Sequence, residues 1–243
     1  MKIREYRAYL FDLYGTLADI HTDEGKPAFW RKMTDVFRSY GADYEARELR
    51  NSYFTEISRQ EKERRQEGHE IEIDLDTVFT ELLGKKGIKV EKEEIQRIAR
   101  SFREASRTHL RAYAHAKEVL QRLRRQGKKV YLLSNAQSLF TMDELRQLEL
   151  DDQFDDILIS SDCGYKKPDP IIFKILLERN DLSAKDCLMI GNDLHSDILG
   201  ARRAGIASYY IHSALSSKND TDIEADYYQE GMDLGLLMKR ICG

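Results

Sequence analysis

Four short polar stretches hold the residues that could do chemistry. Asp12, Gly15 and Thr16 follow the apolar run Tyr9-Leu10-Phe11, and Ser134 and Asn135 follow Val130-Tyr131-Leu132-Leu133. Lys166-Lys167-Pro168-Asp169-Pro170 brings ammonium groups, and Gly191-Asn192-Asp193 follows Leu188-Met189-Ile190, with Asp197 four positions after Asp193. A carboxylate, neutral hydrogen-bond donors, an ammonium and a second acidic cluster are the parts that phosphoryl transfer uses. Mg²⁺ takes oxygen ligands, and phosphate oxygens take donors and positive charge. Taken singly, each residue has an ordinary use. Asp12 reads as the capping acid of a strand-to-helix turn, Ser134 as a helix N-cap, Asp193 and Asp197 as a cap and a first-turn acid, and Lys167 as plain surface. The chemical reading depends on one fold bringing the four stretches to one rim.

The hydrophobic rhythm supplies that fold. Apolar runs bounded by Gly and polar residues mark strands at 9–11, 129–133, 156–160, 187–191 and 207–211, with a short candidate at 226–228. Helical patterns alternate with them at 115–126, 139–148, 170–177, 196–204 and 234–241. Such alternation predicts an α/β protein with a Rossmann-like parallel sheet covered on both faces. Right-handed crossovers then place every strand's carboxyl end on one rim, where open α/β sheets bind ligands. Between the first strand and Ala114 the pattern is helical only: from Pro27 to Gly41, from Tyr44 towards Gln66, from Leu75 to Gly84 and from Glu91 to Leu110. This predicts an inserted all-helical domain at 19–112, free of strands, within a discontinuous core of 1–18 and 113–243.

Composition narrows the function class. A net charge of −4 over 243 residues gives no electrostatic argument for nucleic acid or an anionic membrane. No apolar run approaches the roughly 18–20 residues needed to span a bilayer, and the opening residues lack the apolar stretch of a signal peptide. Cys163, Cys187 and Cys242 are widely spaced and form no C-x-x-C pair, which argues against a disulfide framework or a zinc site. A reducing, cytoplasmic setting is expected. The charge run 61–65 reads as a solvated helical face, and His21 and Glu24 read as loop polar residues.

In content, order and spacing the four stretches resemble the motifs of the haloacid dehalogenase-like (HAD) hydrolases. The first motif of that superfamily, D-x-D-G-T-[LV], is matched by Asp12-Leu13-Tyr14-Gly15-Thr16-Leu17. The second, a Ser or Thr ending a strand, is matched by Ser134 with Asn135. The third, a Lys commonly within K-P-D-P, is matched by Lys167. The fourth, an acidic pair after Gly, is matched by Asn192-Asp193 and Asp197, with Gly200-Ala201 downstream. The resemblance implies a HAD core with a helical cap and a nucleophilic Asp12 that forms a covalent aspartyl intermediate. Thr16 and Ser134 would bond the transferring group, and Lys167 would neutralise charge. Tyr14 and Asn135 would face the substrate, a small phosphate ester. Mg²⁺ would be held by Asp12, the Tyr14 main-chain carbonyl and either Asn192 or Asp193, with Asp197 supporting through water or Lys167.

Tyr14 departs from the phosphatase pattern, in which the residue two after the nucleophile is an Asp that protonates the leaving group and then activates water. A phenol with a reference pKa of about 10 is a poor base near neutrality. Tyr at this position resembles the L-2-haloacid dehalogenases, whose first motif often reads F-D-L-Y-G-T and which use no Mg²⁺. Those enzymes tend to carry S-S-N-x-x-D in the fourth motif and a Tyr six residues after the Lys, where this chain has Gly191-Asn192-Asp193 and Phe173. The expectation is therefore a Mg²⁺-dependent phosphatase of a small phosphorylated metabolite. The alternatives are a metal-independent 2-haloacid dehalogenase and a catalytically weak HAD fold that binds metabolites or partners.

Overall fold

Strand β1 (Ala8–Phe11) is buried along its whole length, and its side chains alternate between two cores. Tyr9 and Phe11 pack with Leu120, Leu123, Leu237 and Ile241 on one face. Ala8 and Leu10 pack with Ile172, Phe173, Leu176 and Ala201 on the other. This is the sequence signature of a central parallel strand, apolar on both faces because both are covered. The computed structural model describes residues 3–65, 68–217 and 222–243.

After β1 come β2 (Ala18–Thr22), the helices α1 (Pro27–Ser39), α2 (Ala46–Glu63), α3 (Leu75–Gly84) and α4 (Lys92–Ser106), and β3 (Arg107–Ala112). There follow α5 (Ala116–Arg125), β4 (Lys129–Ser134), α6 (Ser138–Gln147), β5 (Asp156–Ile159), the short α7 (Ser160–Cys163) and α8 (Pro170–Arg179). Strand β6 (Cys187–Gly191) leads into a π-helical turn at Leu194–Leu199, then α9 (Gly200–Arg203), β7 (Ala207–Ile211), β8 (Tyr227–Gln229) and α10 (Leu234–Ile241). The six-stranded sheet has the order β5-β4-β1-β6-β7-β8 and is parallel throughout. Phe11 lies level with Leu132 on one side and Ile190 on the other, so Asp12, Ser134 and Asn192 emerge together at one rim.

Helices α1 to α4 close around a separate aromatic core that includes Phe29, Trp30, Tyr53, Phe79 and Phe102. On α4 the inward residues Ile95, Ile98, Ala99 and Phe102 follow the 3, 4, 7 spacing of one helical face. Two expectations need correction. Residues 18–22 and 107–112 are strands, paired antiparallel from Ala18↔Ala112 to Thr22↔Arg107, and the helix expected to reach Leu110 ends at Ser106. Both strands are half-buried and polar, and their partners lie some ninety positions apart, so neither leaves a periodic signal. Gln66, the expected end of α2, lies outside the described residues. Among the described residues no helix is long and apolar enough to cross a membrane. Cys163, Cys187 and Cys242 are free thiols, with Cys187 buried in β6.

Candidate active site

Asp12 is the first residue beyond β1, and its N–H donates to the Ile190 carbonyl of β6 at 3.0 Å. The chain then folds tightly back, with the Leu13 carbonyl accepting from Leu17 N and Ala18 N at 2.8 and 2.9 Å. Gly15 sits in this turn with φ +89°, and a Cβ there would overlap the Asn192 side chain. Only glycine satisfies both demands. The close approach brings the Asn192 carboxamide against the first loop, where Thr16 Oγ1 lies 3.2 Å from Asn192 Oδ1 and 3.3 Å from Asp12 Oδ2.

Lys167 is buried, and its ammonium donates to Asp12 Oδ1 at 2.8 Å, Asp197 Oδ1 at 2.7 Å and the Leu133 carbonyl at 2.7 Å. All three donors are therefore spent, which is what permits a buried ammonium. Burial works against its charge, but Asp12 and Asp197 outweigh burial and hold Lys167 above the usual lysine range. Burial likewise pushes the Asp197 carboxyl up to about 7, against the opposing pull of Lys167. Gly191 gives Asp197 its place, since a Cβ at that position would overlap the Asp197 carboxylate.

The structure gathers Asp12, Thr16, Lys167, Asn192 and Asp197 into one bonded cluster at the rim. Ser134, at the end of β4, is fully buried, and its Oγ has no hydrogen-bond partner. The Asn135 side chain is turned onto the main chain of Lys167, with Nδ2 donating to its carbonyl at 2.8 Å and Oδ1 accepting from its N–H at 2.7 Å. It clamps the lysine loop. Asp193 Oδ1 accepts from Ser196 N at 2.6 Å and so caps the π-helical turn, while its own N–H donates to Asp197 Oδ2. Among the described residues no three His, Cys, Asp or Glu side chains form a metal set. Besides the Lys167 ammonium, the groups gathered at Asp12 are oxygens: the neutral Thr16 hydroxyl and Asn192 amide, and the Asp197 carboxylate reached through Lys167.

Tyr14 turns its hydroxyl away from Asp12 and donates it to Glu144 Oε2, with Thr141 Oγ1 at 3.2 Å. Burial, and then the Glu144 charge, hold the phenol well above its usual pKa. Glu144 is a buried carboxylate on α6 that also accepts from Arg103 Nε at 2.7 Å and Arg107 Nη1 at 3.0 Å. Sequence reasoning did not single out this cluster. The available signal was Glu144 on the same face of α6 as Phe140, Thr141 and Leu145, the buried face. A second unforeseen contact is the docking of 69–72 on the lysine loop. Lys166 N donates to the Glu70 carbonyl at 2.9 Å, and Asp169 Oδ2 takes His69 Nδ1 at 2.9 Å. His21 and Glu24 stand outside the Asp12 cluster, with His21 Nδ1 on Thr108 Oγ1 at 2.8 Å. A cleft of about 450 Å³ runs from Tyr14 and Asn135 to Tyr53, Phe54, Phe102 and Phe140 of the helical segment and α6. A larger cavity of about 940 Å³ lies around His69 and Asp169; neither it nor the cleft is lined by Asp12, Thr16 or Ser134, but the cleft touches their chain neighbours Tyr14 and Asn135.

Comparison with known proteins finds relatives among the phosphatases and a shared fold with a dehalogenase. Glyceraldehyde 3-phosphate phosphatase of Pyrococcus furiosus is 31% identical over 122 residues, covering 49% of this chain and 51% of that protein. Phosphoglycolate phosphatase of Vibrio vulnificus (strain YJ016) is 34% identical over 130 residues, covering 51% and 57%. The chain thus spans about half the length of these curated relatives. A crystal structure of a dehalogenase with an intermediate complex shares the fold, with a TM-score of 0.60 at 20% identity over 99% of both chains. The family model described as haloacid dehalogenase-like hydrolase matches residues 6–205, and this chain belongs to the HAD-like hydrolases.

Proposed function

We propose that this chain is a phosphatase of small phosphorylated metabolites, acting through an aspartyl phosphate on Asp12. The observation that carries the reading is the buried Ser134 hydroxyl without a partner, at the rim where Asp12 meets Lys167. A buried hydroxyl left unpaired costs free energy, and a phosphate oxygen at Asp12 would satisfy it. In this reading Asp12 attacks phosphorus and Lys167 holds the carboxylate ionised and oriented while balancing charge on the transferring group. Thr16 and Ser134 donate to phosphoryl oxygens, most strongly where negative charge accumulates in the transition state. Asn135 holds Lys167 in place.

The donor set fits Mg²⁺. Asp12 and Asn192 offer oxygens on either side of Thr16, and the Tyr14 main-chain carbonyl would complete the protein's share, with Asp193 one residue away. One carboxylate plus neutral oxygens, completed by substrate phosphate and water, is the usual manner of holding this ion. When bound, it neutralises phosphate charge and aligns the attack. The named phosphatase relatives support phosphoryl transfer over halide displacement as the chemistry at Asp12.

One observation favours the dehalogenase reading: Tyr14 puts no carboxyl beside Asp12. A panel of phosphate esters and 2-haloacids, each with Mg²⁺ and with EDTA, separates the readings. Phosphate release that needs Mg²⁺ and is lost in Asp12→Asn is expected. Halide release insensitive to EDTA would overturn it in favour of a dehalogenase. Binding of vanadate without any turnover would make the chain a binding protein.

A further inference from the structure

The cleft that begins at Tyr14 and Asn135, near the site residues along the chain, is walled by rings. Tyr53, Phe54, Phe102 and Phe140 line it together with Ile57 and Leu75. Phe54 stands at the protein surface, 42% exposed, with its ring 5.3 Å from Tyr53 and 6.0 Å from Trp30. Among the described residues lining the cleft, Arg103 and Glu24 are the charged ones. Arg103 is committed: its Nε and Nη2 lie 2.7 and 3.2 Å from the two oxygens of Glu144. Arg107 Nη1 draws on the same carboxylate at 3.0 Å, and a second anionic group on a substrate would meet Glu24 in this wall.

A second, independent observation concerns the leaving group. The Tyr14 hydroxyl donates to Glu144, and Arg103 and Arg107 draw on the same carboxylate. No carboxyl stands at Tyr14 to hand a proton to a departing oxygen. An alkoxide, about as basic as hydroxide, needs that proton, whereas a phenolate, whose conjugate acid has a pKa of about 10, departs without it. The wall and the missing acid point to the same kind of molecule.

We propose that the substrate is a phosphate monoester of a phenol, its ring held between Phe54, Tyr53 and Phe140, and not a phosphorylated sugar, triose or hydroxy acid. The proposal rests on the phosphatase reading above. Asp12 forms a bond to phosphorus as the bond from phosphorus to the phenolic oxygen breaks. The electron pair leaves on that oxygen as a phenolate, which takes its proton from solvent. Water then adds to phosphorus, returning the Asp12 carboxylate and inorganic phosphate with release of a proton.

The test has a binding arm and a kinetic arm. Trp30, the single tryptophan of the chain, lies 5.4 Å from the Tyr53 ring and reports on the cleft by fluorescence. With Mg²⁺ present, phenylphosphonate should bind about tenfold tighter than phosphonoacetate, the equivalent of one well-buried contact. Phe54→Asp should cut that preference to about threefold or less. Equal binding, or tighter phosphonoacetate, would overturn the proposal whether or not the enzyme turns over. In the kinetic arm, kcat/KM across substituted phenyl phosphates should fall steeply as the leaving phenol becomes more basic, and Tyr14→Asp should flatten the slope. A shallow slope in the wild-type enzyme would overturn the leaving-group argument while leaving the phosphatase reading intact. Tighter phenylphosphonate without hydrolysis of any ester would overturn the phosphatase reading and preserve the ligand class.

Discussion

Replacing Ser134 by alanine should separate structure from catalysis. The Ser134 hydroxyl is fully buried and has no hydrogen-bond partner. An unsatisfied buried hydroxyl burdens the folded state by about 1–3 kcal/mol. Ser134→Ala deletes that oxygen and leaves the β4 backbone and its pairing with β1 unchanged. The variant should therefore be as stable as the parent or more so, by up to about 2 kcal/mol in urea unfolding. Its activity should move the other way. Loss of one preorganised donor to developing charge costs about 10²–10³ in kcat, roughly 2.7–4 kcal/mol of barrier. Both quantities are measured on one preparation, kcat with the best ester of the panel and stability by urea titration. A loss of more than about 1 kcal/mol of stability would mean that the hydroxyl has a structural partner. Unchanged kcat would mean that it does not meet the phosphoryl group. Either result refutes the reasoning.

Three further outcomes are expected. Glu144→Ala leaves Arg103 and Arg107 without their shared carboxylate, so urea unfolding should show a loss of about 3–5 kcal/mol, with Glu144→Gln losing less. Tyr14→Asp supplies the missing proton carrier and should raise kcat on alkyl phosphates at least tenfold, towards the usual ~10²–10⁴ of general acid–base assistance. A pH–rate profile should gain a limb that wild type lacks. Asn192→Asp adds a carboxylate beside Asp12, and calorimetry should show Mg²⁺ binding about tenfold tighter in the absence of substrate; unchanged affinity would remove Asn192 from the metal set.

The sheet was legible because its strands are short apolar runs such as Leu188-Met189-Ile190, buried on both faces and closed by polar residues. Once the strands were known to be parallel, their carboxyl ends had to share a rim, and Asp12, Ser134 and Asn192 had to share it with them. The β2–β3 ribbon was not legible. Its residues are half-buried, and what makes them strands is a partner across the whole helical segment. Side-chain direction was equally closed to the sequence. Nothing in Ser134-Asn135 says that the amide turns onto Lys167, and nothing in Asn192-Asp193 says that the acid caps its own turn. Glu144 was missed because a charge within a helix reads as a solvated face, and only the packed structure shows Arg103, Arg107 and Tyr14 around it.

In the proposed reaction a carboxylate oxygen of Asp12 takes the phosphoryl group. Single-turnover reaction, acid quench and borohydride reduction, followed by mass spectrometry of the peptide spanning Tyr9–Leu17, tests it directly. An acyl phosphate is reduced to an alcohol and a free carboxylate is not, so homoserine should appear at position 12 in proportion to enzyme turned over. Turnover with position 12 unmodified, or with the modification on another residue, would contradict the account.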